Sequence, residues 1–432
     1  MLVIAYEYPP SAGGGVQRVT KLVRYLPANG WNPYVITATP VRGRPRDESL
    51  LGEVGGVPVL RRPNLSVAAA IAAAIRPVKA LMALCHRSAA PSSRSTPSSA
   101  TGAPLSSRLM RLLFLDTAWL WSLGVPRTAA RLHRRVGFDA VIASGPPHSA
   151  LVAGEKVARR LRIPFVADVR DPWRTNPGYR WPTSPRRDAR SMALATTVFE
   201  SADQIVTVSQ PITEEVRSLG GKNVVTVPNG FDPLDLPRWN PQPGPLRIAF
   251  MGRFYGSTDP TTFFDGVARV VHWDDAAADL VIDVLGQMTD FVRDAIQSRG
   301  LDAHIVYHGF LSHAEALEIV SHADAGLVAL ADIPGAEANY TGKLFEYLGI
   351  GLPVLLVGPS DGAAASLVRE AHAGFAVPYA DVEEVANTLE RMAAEKIGGT
   401  REHAPIADVV ARYDRRKQVA EIARLLDAVV GD

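Results

Sequence analysis

The sequence predicts an α/β fold of two doubly wound domains facing each other across a cleft, and three observations carry that prediction. Short apolar runs alternate with helix-periodic stretches over most of the chain, which is the pattern of parallel strands covered on both faces. The alternation occurs in two separate series. Between them lies a span punctuated by Pro228, Pro233, Pro237, Pro241, Pro243 and Pro245, which reads as an interdomain hinge. A length of 432 residues suits two domains better than one. The expected division is residues 1–228, a hinge at 229–245, a second domain at 246–410, and a final helix at 411–432 returning to the first domain.

In the first series the spacing predicts a strand at 2–6, a glycine-rich loop from Ser11 to Gly15, a helix at 16–28 and a strand at 33–37. Val16, Val19, Leu22, Val23 and Leu26 recur at helical spacing, and Gly30 supplies the stop. The pattern returns with a strand ending at Ser144, a helix to about Arg162 and a strand from Pro164 to Asp168, and further strands fall at 204–208 and 223–227. The second series opens at Leu246–Met251 and continues with strands at 279–285, 304–308, 325–330, 353–357 and 374–377. A helix over about 405–430 places Val419, Ile422, Ala423, Leu426 and Val430 on one face.

Composition narrows the function. A formal charge of +2 provides no strong field for nucleic acid. The single cysteine, Cys85, excludes an internal disulfide and a cysteine-based zinc site, and fits a reducing, cytoplasmic location. No apolar run approaches the roughly 20 residues that span a bilayer. Residues 88–107, rich in Ser, Pro, Ala and Thr, form a low-complexity insertion. Amphipathic stretches at 66–84 and 108–123 flank it. In the second, Arg108 and Arg111 stand beside Phe114, Trp119 and Trp121, which suggests peripheral contact with a membrane surface through 108–135. The plainer reading packs both helices on the first domain.

The most informative segment is Thr341-Gly-Lys-Leu-Phe-Glu-Tyr347 running into Gly351-Leu-Pro-Val354. Thr341 is placed to cap a helix, and Lys343 and Glu346 emerge side by side three residues apart. Helix amides and Lys343 could hold a phosphate while Glu346 accepts hydrogen bonds from sugar hydroxyls; the same spacing also arises as an ordinary surface pair. Other loops at carboxyl ends of strands have unusual content. Gly13, Gly14 and Gly15 precede a helix carrying Arg18, an arrangement for close backbone approach to phosphate or sugar, or a plain turn. His148 follows Ser144-Gly-Pro-Pro and suits a sugar hydroxyl, a proton transfer or a structural role. Asp168, Arg170, Asp171 and Trp173 end another strand, where the charges face a cleft or pair among themselves. In the second domain Gly252 and Arg253 end the first strand, Arg253 being suited to clamp a diphosphate. Phe310 ends a later strand and offers a face to a base.

At these residues the chain resembles the retaining glycosyltransferases of family 4, which have the GT-B fold of two Rossmann-like domains. Tyr8-Pro-Pro-Ser-Ala-Gly-Gly-Gly-Val-Gln-Arg18, Gly145-Pro-Pro-His-Ser149 and Asp168-Val-Arg-Asp-Pro-Trp173 carry the resemblance in the first half. Val227-Pro-Asn-Gly-Phe-Asp232, Gly252-Arg253, His308-Gly-Phe310 and Lys343-Leu-Phe-Glu-Tyr347 with Gly351-Leu-Pro-Val354 carry it in the second. Asp116 and Trp119 or Trp121 correspond to an Asp and a Trp of one subgroup. The resemblance implies a nucleotide-sugar donor, a UDP-sugar by family frequency, and an acceptor glycan, lipid or small molecule entering from the first domain. It implies that Gly14 and Gly15 approach the donor, that Arg253 and Lys343 neutralise its diphosphate, that Glu346 takes the ribose hydroxyls and that His148 stands near the sugar. With the strand-end readings above, the expected catalytic set is Arg253, Lys343, His148 and Asp168, and the donor-binding set Gly14, Gly15, Arg18, Gly252, Phe310 and Glu346. Arg170 and Asp171 fall on the acceptor side, and neither a metal nor another cofactor is called for. Two departures stand out. Many relatives carry a glutamate eight positions before Glu346, where this chain has Ala338 with Glu337 one place away. Many also have a lysine shortly after the Gly-Arg pair, whereas Phe254 to Phe263 contains none. A nucleotide-sugar epimerase, a phosphorylase and a non-catalytic nucleotide-binding subunit are the competing functions.

Overall fold

The computed structural model describes residues 1–41, 45–64, 116–174, 185–253, 258–273, 280–333, 336–338 and 340–431. The insertion at 88–107 and the amphipathic stretches at 66–84 and 108–115 lie outside the described residues. Among the described residues there are two wholly parallel sheets. The first has seven strands in the order β3-β2-β1-β4-β5-β6-β7 and the second six in the order β10-β9-β8-β11-β12-β13. In chain order the first sheet comprises Leu2–Ala5, Tyr34–Ala38, Val59–Arg62, Val141–Gly145, Phe165–Val169, Gln204–Thr207 and Val224–Thr226. The second comprises Leu246–Arg253 (β8), Leu280–Gln287, Ile305–Gly309, Ala325–Ala329, Val354–Gly358 and Gly374–Pro378 (β13). Each domain winds outward one way from its first strand and then the other, so β1 and β4, and likewise β8 and β11, diverge at a switch point where ligands gather.

The strands form where the chain can be buried on both faces. All of β1, β4, β5, β11 and β12 are buried residue for residue, which is why their runs are apolar apart from Ser144 and Asp168 near the carboxyl ends of β4 and β5. Strand β3 departs from that pattern and from the expected topology. It is an edge strand, half-exposed, and two of its four residues are Arg61 and Arg62. Helix Gly14–Tyr25 begins two residues before the expected start and passes into a 3-10 turn, Pro27–Asn29, closed by Gly30 at φ 85°.

Where tryptophan in the stretch after 115 was expected to face a membrane, the described part packs inward. Trp121 is fully buried and meets the Tyr6 ring edge-on at 5.3 Å. Basic residues do line helix Val125–Val136, and among the described residues no helix is long and apolar enough to cross a membrane.

The C-terminal segment is interrupted rather than one helix over 405–430. A short helix Ala407–Val410 and a 3-10 turn Ala411–Tyr413 precede helix Arg415–Gly431. The break falls where the chain crosses back between domains. There Phe231 N–H donates to the Tyr413 carbonyl at 3.0 Å, and Arg415 N–H donates to the Phe231 carbonyl at 2.9 Å. Gly230 permits this approach, since a Cβ there would collide with the Tyr413 carbonyl oxygen. Beyond the crossing, Val419, Ile422, Ala423 and Leu426 join the first domain's core with Val19, Leu22, Val23 and Trp31. Trp31 Nε1–H also donates to Asp427 at 2.9 Å.

Candidate active site

The second domain brings a glycine and a lysine together at its switch point. Strand β8 ends on Gly252, at φ 127°, and Arg253, whose side chain lies outside the described residues. Helix Gly342–Ile350 follows β11 and starts beside that strand end. Tyr347 fixes the helix, its hydroxyl accepting from Met251 N–H at 3.2 Å and its ring packing where Gly326 leaves space. Lys343 consequently projects past Gly252. Its ammonium lies 3.4 Å from the Phe250 ring centroid and 3.6 Å from where a Gly252 Cβ would be. Among the described residues it makes no hydrogen bond or ion pair. Burial pushes the Lys343 amine down to about 7, against the pull of Glu346.

The helix start differs from the sequence expectation in one respect. Thr341 has the extended backbone of a cap, yet its hydroxyl caps nothing and is buried without a hydrogen-bond partner. No side chain crowds Gly342. A helix N-terminus with unmet amides, an unpartnered hydroxyl and an ammonium beside it has the makings of an anion site.

In the first domain the predicted residues separate into two groups. Gly13 and Gly14 are open, with nothing within 4 Å of where a Cβ would stand, and Gly15 lies under the Arg170 guanidinium. Arg170 in turn donates to the Gly145 carbonyl at 3.2 Å and the Pro146 carbonyl at 2.6 Å, tying three strand-end loops together. Asp171 is half-buried in the turn that follows. His148 opens helix His148–Leu161 and stacks on Trp173 with ring centroids 4.4 Å apart. Burial holds its imidazole down to about 4, partly offset by the Pro172 carbonyl and reinforced by Arg170, so the ring is neutral.

Arg18 and Asp168 belong to the second group, and here the sequence reading needs correction. Arg18 is 5 % and Asp168 1 % exposed, and they face each other rather than the cleft. The guanidinium donates to Asp168 Oδ1 at 2.8 and 3.0 Å, to the Pro228 carbonyl at 3.0 Å and to the Val227 carbonyl at 3.1 Å. Ser144 Oγ donates to the other carboxylate oxygen at 2.6 Å. The pair anchors β4, β5 and the hinge to helix Gly14–Tyr25. Asp116, just before helix Trp119–Leu123, accepts from Ser149 N–H at 2.8 Å and Ser149 Oγ at 2.6 Å, capping the helix that presents His148.

Between the domains, Glu346 accepts from His313 Nε2 at 2.7 Å. Gln17, Lys21 and Arg415 line the same small cavity. Lys21, 1 % exposed, reaches Asp232 at 3.0 Å and contacts Glu53 and Asp235. Those three carboxylates are, among the described residues, a cluster close enough to bind a cation together, and the ammonium already sits among them.

Residues 90–233 match the model of Glycosyltransferase Family 4 and residues 245–395 that of Glycosyl transferases group 1. The chain belongs to glycosyltransferase family 4. Comparison with curated proteins by sequence finds no match. Among solved structures, a sucrose-phosphate synthase from Thermosynechococcus elongatus superposes with a TM-score of 0.63 at 14 % identity, covering 99 % of this chain and 96 % of that one. A mutant of S. aureus TarM, in complex with fondaparinux, alpha-GlcNAc-glycerol and UDP, gives 0.63 at 8 % identity over 99 % of both chains. A putative UDP-N-acetylglucosamine 2-epimerase from Listeria monocytogenes gives 0.54 at 12 % identity, covering 99 % and 95 %. At such identities these likenesses show the GT-B fold alone.

Set against the family 4 pattern, the structure leaves the place of the first glutamate apolar. Ala338 is buried on a 3-10 turn, Ala336–Ala338, and Glu337 is exposed. Phe310 is 49 % exposed beyond edge strand β10. Sequence reasoning missed His313 and Arg415 of this family 4 enzyme. A signal for the first was present: Ser312 and Glu315 form a capping box, which marks His313 as the first residue of a helix beyond β10.

Two pH effects follow. An anion bound at Lys343 favours the ammonium, so binding of inorganic pyrophosphate there near pH 8 should take up a proton, and its affinity should fall as pH rises above about 7. Calorimetry in buffers of different ionisation enthalpy measures that uptake. His148 acts on stability instead. Its folded pKa of about 4 lies below the unfolded value of 6.5, so the unfolded chain binds more protons in between and stability falls as pH drops through that window. The loss attributable to His148 is about 3 kcal/mol by pH 4, and a His148→Gln variant should show a shallower acid limb in denaturant titrations.

Proposed function

We propose that the protein is a retaining hexosyltransferase that moves a sugar from a nucleoside-diphosphate sugar, a UDP-sugar in the first instance, to a hydroxyl of a lipid-linked, polysaccharide or natural-product acceptor. One observation supports this reading above the others: an ammonium without an ion pair among the described residues, an uncapped helix start and the Gly252 backbone converge at the β8/β11 switch point. In the reaction the anomeric C–O bond to the diphosphate breaks while the acceptor oxygen bonds to the same carbon on the same face. The leaving phosphate oxygen takes the acceptor proton. Negative charge therefore grows on the diphosphate, where Lys343, the helix amides and Arg253 stabilise it without rearranging. Glu346 takes the ribose hydroxyls, and Gly14 with Gly15 lets the first lobe close on the phosphates and sugar. The same cations let the diphosphate leave without a metal.

Arg170, braced over Gly15, and Asp171 border the acceptor side, and His148 supplies a neutral ring near the sugar. The basic face of helix Val125–Val136 is the element that would meet an anionic membrane surface if the acceptor is lipid-linked, which would make the protein peripheral on the inner face of the cell membrane.

Incubation with a panel of nucleotide sugars, with and without hydroxyl acceptors, tests the reading. Acceptor-dependent release of the nucleoside diphosphate with an unchanged anomeric configuration is expected. Conversion of the nucleotide sugar to an epimer without acceptor would replace it with the epimerase reading, which shares the fold.

A further inference from the structure

We propose that His313 and Asp47 are positioning residues that hold Glu346 ready for the donor ribose when the two lobes meet, so that ribose recognition is tied to closure. The inference deepens the function proposed above and rests on it, through the role given there to Glu346.

His313 makes two bonds in two directions. Its ring Nε2 lies 2.7 Å from Glu346 Oε1, within the second lobe. Its backbone N–H donates to Asp47 Oδ2 at 3.1 Å, across to the first lobe. The residue opens helix His313–Ser321, whose start is fixed by the Ser312–Glu315 capping box, so ring and amide are held in one orientation. Asp47 lends a negative charge to that helix N-terminus, the favourable end for it.

Asp47 is itself fixed. It is 6 % exposed, Ser49 N–H donates to its Oδ1 at 3.1 Å, and its own N–H donates to the Pro10 carbonyl at 2.8 Å. The segment around it is joined to the glycine-rich loop through a Ser11–Arg46 bridge and an Ala12-to-Pro45 hydrogen bond of 3.2 Å. A continuous set of hydrogen bonds thus runs from the loop bearing Gly13–Gly15, through 45–47, to His313 and Glu346. Only the Asp47–His313 bond in this set joins lobe to lobe.

Other groups around the carboxylate do not substitute for His313. Asp235 and Lys21 face the ring from the hinge and from helix Gly14–Tyr25, and Lys21 is engaged by three carboxylates. Arg415 attracts Glu346, but among the described residues no ion pair joins them. With His313 removed, Glu346 loses the hydrogen bond that orients it.

Calorimetric titration of the full chain with uridine and guanosine diphosphates, and with inorganic pyrophosphate, provides the test. His313→Ala should weaken nucleoside diphosphate binding about tenfold, the scale of a lost hydrogen bond to a charged group. Pyrophosphate, which has no ribose, should bind as before. His313→Gln, whose amide can replace the Nε2 donor, should recover most of the loss. Asp47→Ala should weaken nucleotide binding about threefold alone and hardly at all in the His313→Ala background, because the two act in series. Equal loss for pyrophosphate, a His313→Gln variant as poor as alanine, or additive effects in the double variant would each overturn the proposal. If His313→Ala does not fold, the same cycle run with His313→Asn, whose shorter side chain does not reach Glu346, against Asp47→Ala decides it. Nucleotide binding by wild type that is unchanged in His313→Ala would sink this inference alone, whereas no binding by wild type would remove the transferase reading with it.

Discussion

Lys343→Met will lower turnover about a hundredfold to a thousandfold while leaving the melting temperature unchanged or higher. The first half follows from losing a preorganised cation at the departing diphosphate, a contribution on the scale of one lost transition-state donor. The second half follows from what Lys343 lacks. Its ammonium is packed on Phe250, with no described carboxylate bonded to it, and burial has already pulled its pKa to about 7. The desolvation that lowers the pKa offsets the contact with the Phe250 ring, and a thioether of similar length fits that apolar neighbour at least as well. Function and stability therefore separate at one position, as they do where a site is maintained at the expense of the fold. Near-normal initial rates in this variant would remove the diphosphate role; a large fall in melting temperature would mean that Lys343 is structural after all. Arg253→Ala should show a comparable loss of turnover.

Arg18→Met has the opposite signature. It leaves the Asp168 carboxylate buried without its guanidinium, and leaves the Val227 and Pro228 carbonyls without their donor. Breaking a buried pair from one side costs about 3–5 kcal/mol, enough to consume much of a domain's stability. Denaturant titration should show that loss. Ser144 remains as one donor to Asp168, so an Arg18→Met, Asp168→Asn double variant should be less impaired than the single change. Wild-type stability in Arg18→Met would show that the pair is dispensable and would return Arg18 to the ligand contacts.

These two residues also mark how far the sequence can be read. Strands buried on both faces declare themselves as continuous apolar runs, and most of both sheets is legible for that reason. Strand β3 is not, because an edge position lets Arg61 and Arg62 occupy it. At the site, Gly252, Lys343 and Glu346 are legible as local patterns at strand ends. Arg18 looked equally suited to a ligand, since one turn into a helix after glycines is where a phosphate contact would stand. Nothing local discloses that Asp168, 150 residues away, would meet it. His313 was obscure for a related reason: its significance lies in Glu346 and Asp47, and only the packed lobes bring all three together. The interrupted C-terminal segment likewise depends on a bridge to Phe231 that helical periodicity cannot register.

That bridge governs how the molecule can move. Among the described residues the chain passes between lobes outward at Phe231 and homeward at Asp414, and backbone hydrogen bonds hold the passages side by side. Two parallel connections fastened at one place should act as a pin, about which swivelling of the lobes is expected and sliding is opposed. Clipping the protein after Val410 would leave every strand of both sheets present yet remove half the pin, and the mouth of the cleft would then gape without a fixed path back.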